Sequence, residues 1–221
     1  MGIRYTQVDP DGGQNVRFPD HQLAHQYCVG RGVALGESSH NRFSLADCRN
    51  VAPRDDFDFY RSEQIAMDGC FAEVDQWAEA HRLPFENDSL DYVISSHVFE
   101  HLPNPIAALR EWNCVVRDGG IVFMIVPLRN AHPGDVERPI STFNEFLDAY
   151  LDDYTPVTHP FQEMGNRGHY HVFTIDSVKE LVAKTVIGWT LEDEEEVDSK
   201  VGNGFTLVFR VTKPTGPIET D

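Results

Sequence analysis

Two stretches of the chain hold most of the side chains able to do chemistry. The first is Ser95-Ser96-His97-Val98-Phe99-Glu100-His101, which gathers hydroxyls, imidazoles and a carboxylate. Histidine suits base work near neutral pH because its unperturbed pKa is about 6.5. If a helical turn starts here, His97 and His101 share one face, and His101 is a candidate base. The second stretch, residues 128–172, carries Arg129, His132, Asp135, Glu137, Arg138, His159, Glu163, Arg167, His169, Tyr170 and His171. In a chain with 18 basic and 36 acidic residues, Arg129, Arg138 and Arg167 together point to an anionic or polyhydroxylated acceptor. His132 and His171 join them as candidate acceptor contacts. An extended backbone over Gly168–Thr174 would put His169 and His171 on one face, which makes His169 the second candidate base.

No metal ion is expected from these patterns. A site at His169 and His171 needs a third ligand, such as His159 or His132. The spacing HVFEH places Val98 where the two-histidine zinc helix has glutamate directly after its first histidine.

Strands and helices must bring these residues together. Tyr92-Val93-Ile94 is the short apolar run of a strand buried on both faces. Ser95, Ser96 and His97 then stand just beyond its carboxyl end, where open α/β sheets bind ligands. An amphipathic helix follows, with Ile106, Leu109, Trp112 and Val116 on its apolar face and Asp118-Gly119-Gly120 as its stop. Ile121–Val126 is a second apolar strand, so the unit predicts a right-handed crossover and a parallel sheet. Upstream, a short helix is expected over Asp20–Val29, capped by Gly30. A strand over Gly32–Gly36 runs into the turn Gly36-Glu37-Ser38-Ser39; Asn50–Ala52 and Glu73–Trp77 are further strand candidates. Residues 128–172 interrupt the pattern as an insertion with a helix near Thr142–Tyr150, and long insertions of this kind are usually functional. A helix over Asp176–Thr185 and a terminal antiparallel hairpin, with Val201-Gly202-Asn203-Gly204 in its loop, close the chain.

A length of 221 residues suits one domain, taken here as 1–221 with a polar arm over 1–18. The net charge of −18 argues against a nucleic acid partner, since phosphate binding needs clustered Lys and Arg. The four cysteines are scattered without a CxxC pair, and neither a membrane span nor a signal-peptide core is visible. A cytoplasmic protein acting on a small molecule, away from membranes, is the expectation; the oligomeric state is left open.

The run LPFENDSLDYVISSHVFEHLPNP, followed by LREWNCVVRDGGIVFMIVP, resembles the middle of the class I S-adenosylmethionine-dependent methyltransferases, in their small-molecule branch. The resemblance covers roughly residues 25 to 212 and rests mainly on 73 to 127. It implies a Rossmann-like α/β fold: a mostly parallel seven-stranded sheet, helices on both faces and an antiparallel C-terminal strand. It implies S-adenosylmethionine as cofactor. Leu35, Gly36, Glu37 and Ser38 stand where the family has its glycine-rich loop, although Ala34 replaces the usual acid and Ser38 the second glycine. Glu79 and Ala80 match the adenine-contacting pair ahead of Leu-Pro-Phe. The ribose position falls to Asp55 or Asn50, and Ser96 and His97 flank the methionine moiety. The strand end lacks the Asn/Asp-Pro-Pro-Tyr/Phe pattern of enzymes that methylate nucleobase amino groups. A small-molecule hydroxyl, on a sugar, glycan or other metabolite, is therefore the expected acceptor, with His101 or His169 as base. Ala34, Ser38 and Ala52 also keep open a non-catalytic, methyltransferase-like binding or regulatory protein. A nicotinamide-dependent oxidoreductase would need a GxGxxG turn that GESSHN does not supply.

Overall fold

The computed structural model describes residues 1–9, 13–14, 16–55, 57–160 and 168–213. Its centre is a seven-stranded sheet in the order β5-β3-β2-β6-β7-β9-β8. The strands are β2 (Gly32–Leu35), β3 (Cys48–Ala52), β5 (Gln76–Trp77), β6 (Leu90–Ser96), β7 (Val116–Pro127), β8 (Thr190–Glu195) and β9 (Gly204–Arg210). The pairs β2·β3, β2·β6, β3·β5 and β6·β7 are parallel. Strand β9 enters antiparallel to β7, and β8 pairs antiparallel with β9 at the edge. The mostly parallel sheet and reversed C-terminal strands expected from the sequence are both present.

Alternation along the strands builds two cores. Val33, Leu35, Val93, Val122, Met124 and Val126 point to one face, where helices α3 (Pro105–Val115), α4 (Phe143–Leu151) and α5 (Ile175–Thr185) contribute Trp112, Phe146 and Leu181. Ala34, Tyr92, Ile94, Phe123 and Ile125 point to the other. That face is covered by the short α1 (Gln22–Tyr27) and by Phe43 and Leu45 of a loop. Helix α3 starts because Asn104 accepts a hydrogen bond from Ala107 N at 3.0 Å and Pro105 occupies its first turn. Thr142 with Glu145, and Thr174 with Ser177, form capping boxes at α4 and α5.

Several local expectations are corrected. Asp118-Gly119-Gly120 does not stop α3: pairing begins at Val116, and the glycines sit in an irregular stretch of β7. A Cβ on Gly120 would lie 2.8 Å from Asp91 O, so the close approach of β6 explains the glycine. The third strand expected over Glu73–Trp77 is split. Cys70–Ala72 (β4) pairs with Tyr5–Gln7 (β1) in a separate two-stranded sheet, and only Gln76–Trp77 joins the main one. Helix α2 (Phe57–Asp68) was not anticipated, although Tyr60, Gln64 and Met67 recur at helical spacing.

Candidate active site

At the carboxyl ends of β2, β3, β5 and β6 the chain encloses a cavity of about 920 Å³, within the size range of small-molecule and cofactor sites. Every residue that the sequence suggested for cofactor contact, from Leu35 to His97, lines it. Among the described residues its carboxylates are Glu37, Asp55, Glu63 and Glu79, and no Lys or Arg lines it.

The wall built from the β2 turn is internally satisfied. Gly36 has φ +62°, a left-handed conformation that favours glycine, and its N–H donates to Val51 O at 2.8 Å. Asn50 Oδ1 accepts from Glu37 N at 3.0 Å, and Asn50 Nδ2 donates to Glu37 O at 3.3 Å and Glu73 O at 3.1 Å. Asn50 thus fixes the turn with its amide, and Asp55 stands near the end of β3 beside the cavity. The Glu37 carboxylate accepts from the Tyr5 hydroxyl of β1, and burial pushes its pKa up to about 7. No helix follows β2, so the turn lacks a helix N-terminus behind it. Helix α2 supplies Phe57, Tyr60, Gln64 and Met67 to the opposite wall. Glu79 is raised in pKa by burial, with Asp55 adding to the effect.

The wall at the end of β6 is different in kind. His97 has φ +53°, uncommon for a residue with a side chain, and its N–H donates to Ile125 O at 2.9 Å. Residues Phe99–His101 form a single 3-10 turn, so His97 and His101 do not share an α-helical face as the sequence suggested. They approach the same carboxylate from two sides instead. His97 Nδ1 lies 3.8 Å and His101 Nε2 3.7 Å from Glu100 Oε1. Glu100 is 1% exposed, and neither of its oxygens has a hydrogen-bond partner among the described residues. Burial, reinforced by nearby Asp135, raises its pKa to about 8.

The insertion delivers His169 to this wall. Its ring centroid lies 4.9 Å from that of His101 and 4.8 Å from that of His132. His169 Nδ1 contacts Asp135 Oδ2 closely, and His101 Nδ1 lies 3.3 Å from Gly168 O. Burial lowers the pKa of His169 against the pull of Asp135. Arg138 is committed elsewhere: it donates to Asp135 Oδ1 at 2.8 Å, His169 O at 2.6 Å and Tyr170 O at 2.9 Å. It positions the histidine segment and does not reach into the cavity. Arg129 Nε lies 3.4 Å from Asp135 O, at a separate depression. His171 corrects the expectation most clearly. Residues 168–174 form no strand, so alternation does not hold, and His171 turns into the core against Phe146. Its Nε2 lies 3.4 Å from Pro103 O, and burial lowers its pKa to about 4. Arg167 lies outside the described residues.

Residues 60–124 match the family model of a methyltransferase domain. Among solved structures, a SAM-dependent methyltransferase from Aquifex aeolicus superimposes with TM-score 0.52 and 12% identity over 93% of this chain and 95% of that one. A chain from the complex of the Haloferax volcanii Trm112 methyltransferase activator with a candidate methyltransferase reaches TM-score 0.54 at 12% identity, covering 87% and 88%. At such identities these structures share the fold. No curated protein matches the chain in sequence. The domain match and the strand order point the same way. Over residues 60–124 the chain is similar to methyltransferase domains, and its sheet has the fold of S-adenosylmethionine-dependent methyltransferases of known structure. The match implies S-adenosylmethionine as the cofactor.

The cavity fits that group. A sulfonium cation suits a lining with four carboxylates and no Lys or Arg, and the Gly36 turn lets backbone approach a bulky ligand. Sequence reasoning missed α2 and Tyr5, which complete this half of the site. Asp135 was noted only as one polar residue of the insertion, and its contact with His169 depends on a long-range approach that spacing does not encode.

Proposed function

We propose that the chain is an S-adenosylmethionine-dependent methyltransferase that acts on a hydroxyl oxygen of a small polar metabolite, such as a sugar or glycan unit, and not on nucleic acid. The supporting observation is the imidazole pair His101–His169 beside the acidic cavity, with Asp135 orienting the His169 ring. A hydroxyl, unlike an amine, must shed a proton as it is methylated, and a ring held by a carboxylate is suited to receive it. Bound S-adenosylmethionine supplies an activated methyl group on a cationic sulfur. Gly36 and Glu37 would pack against it, Asp55 would accept from its ribose hydroxyls, and Glu79 with the Ala80 backbone would meet the adenine. Ser96 and His97 would border the methionine moiety. His132 and the segment stapled by Arg138 would flank the acceptor side, whereas Arg129 lies at the separate depression. The net charge of −18 disfavours a polyanionic partner.

We read the chain as one domain, because Phe146 of the insertion packs into the main core against Phe173. We place it in the cytoplasm on its free, scattered thiols. Among the described residues no helix is long and apolar enough to cross a membrane. The test is calorimetry with S-adenosylmethionine, followed by mass spectrometry of sugars and other hydroxylated acceptors. Cofactor binding with mass gain on oxygen supports the reading. No binding at millimolar cofactor would favour a non-catalytic protein, and methylation of amines alone would overturn the hydroxyl acceptor.

A further inference from the structure

The groups at the end of β6 and in the insertion form a cluster whose charges do not close. Glu100, His101 and His169 each offer one ligand atom, and these atoms lie within 4.8 Å of one another. A divalent ion with nitrogen and oxygen ligands at about 2.1 Å separates them by roughly 3–4 Å, so small side-chain rotations complete the geometry. Independently, the Glu100 carboxylate is 1% exposed and without a hydrogen-bond partner among the described residues. A buried carboxylate left so is costly unless a cation or a proton joins it.

The ring nitrogens point the same way. Nδ1 of His169 is taken up by Asp135, and Nδ1 of His101 faces the Gly168 carbonyl. That leaves Nε2 of His169 as the coordinating atom, and Nε2 of His101 already faces Glu100. Metal-binding histidines are held in this manner by a carboxylate or carbonyl on the far nitrogen.

We propose that Glu100, His101 and His169 bind a divalent transition-metal ion of the zinc type, with Asp135 as the outer partner of His169 and open coordination positions facing the acceptor. Two imidazoles and one carboxylate form a borderline donor set that suits zinc or its neighbours better than magnesium or calcium. Three protein ligands leave room for an acceptor oxygen, which an ion there would orient and acidify. The proposal rests on the methyltransferase reading for the place of the acceptor, and lets the two imidazoles act through an ion. A second group, His132, Asp135 and His169, shares the site. It is less suited, because Asp135 is paired with Arg138 and His132 Nδ1 accepts from Gly134 N at 3.2 Å.

The experiment uses the full chain, stripped with chelator and then titrated with Zn²⁺ by calorimetry and with Co²⁺ by visible absorption. S-adenosylhomocysteine binding is measured in parallel. One equivalent of metal per chain is expected, with Co²⁺ bands of a nitrogen–oxygen site. Glu100→Gln and His169→Asn should each weaken binding at least tenfold, and Asp135→Asn by about 10–100-fold. His159→Ala serves as an unaffected surface control. S-adenosylhomocysteine affinity should persist in Glu100→Gln, and circular dichroism confirms that the variants fold. Metal binding equal in wild type and Glu100→Gln would overturn the proposal. So would binding that survives Glu100→Gln but is lost in His132→Ala, which would assign the ion to the other group. A protein that binds metal as described but not S-adenosylhomocysteine would sink the cofactor reading and leave the metal site standing.

Discussion

The two walls of the cavity handle buried polarity in opposite ways. On the β2–β3 side, Glu37, Ser39 and Asn50 are buried and tied into the fold. Tyr5 bonds Glu37, Gln64 Oε1 accepts from Ser39 N at 2.8 Å, and Asn50 spans Glu37 and Glu73. On the β6 side, Ser95 Oγ, Ser96 Oγ, His97 Nε2 and both Glu100 oxygens lack hydrogen-bond partners among the described residues. Farther along the β2 loop, His40 Nδ1 and Asn41 Oδ1 also lack them, and both residues line the cavity. Buried polar groups are nearly always bonded in native proteins. The first wall is therefore a finished platform whose side chains shape a turn. The second carries polar groups that the described residues of the protein leave unbonded, which is the contrast the proposed chemistry rests on.

Substitutions can break this contrast, and the greatest effect is expected on the unfinished wall. His169→Ala should lower methyl transfer at least 100-fold while changing S-adenosylhomocysteine affinity less than threefold. Equal losses of both would erase the division of labour between the walls.

The next effect is one of pH on the finished wall. The Glu37 pKa lies at about 7 in the folded protein against an ordinary 4.5. The folded state then holds a proton that the unfolded chain has lost, so stability falls as pH rises from about 4.5 to 7 and then levels off. Tyr5, Arg42, Lys200 and the Phe43 backbone all act to lower this pKa, but burial outweighs them. The full swing is about 3 kcal/mol at most. Denaturant melts of Glu37→Gln should show that slope removed; an unchanged slope would clear Glu37 of the role.

Asn50→Ala should destabilise by about 2–3 kcal/mol, since it strands the buried amide and carbonyl of Glu37. In a chain of this size that lowers Tm by roughly 5–10 °C. Gly36→Ala should weaken S-adenosylhomocysteine about tenfold. A Cβ there meets only Val98 Cγ2 at 3.5 Å, so the effect comes from the left-handed backbone and not from a clash.

The smallest stability effect sharpens the comparison most. In the presence of chelator, Glu100→Gln should leave stability within about 1 kcal/mol of wild type, because no hydrogen bond of the carboxyl among the described residues is lost. A loss comparable to that of Asn50→Ala would place Glu100 among the finished, structural groups.

Much of this molecule is legible along the chain. Tyr92–Ile94 and Ile121–Val126 read as buried strands because both faces of the sheet are covered, and the helix between them follows from its apolar spacing. Strand β9 of the terminal hairpin is legible for the same reason, and Asp198 secures the hairpin loop by accepting from the N–H groups of Val201, Gly202 and Gly204. Less legible were elements defined by distant partners. Strand β1 exists because Cys70–Ala72 pairs with it. His171 could not be told from His169 by alternation, because no strand forms between residues 168 and 174.

By itself, the sequence determined the central strand–helix–strand unit, strand β9, the acidic character of the protein and the location of its polar strand ends. Those are local properties, carried by periodicity, capping residues and charge. Only the tertiary structure decided which polar residues are spent on the fold and which remain to act. Asn50, Arg138 and His171 were absorbed by partners far away in the chain, whereas Glu100, His101 and His169 were gathered from β6 and the insertion into one buried cluster. That division depends on long-range contacts and on burial, which set the cost of an unpaired charge and have no signature in residue spacing.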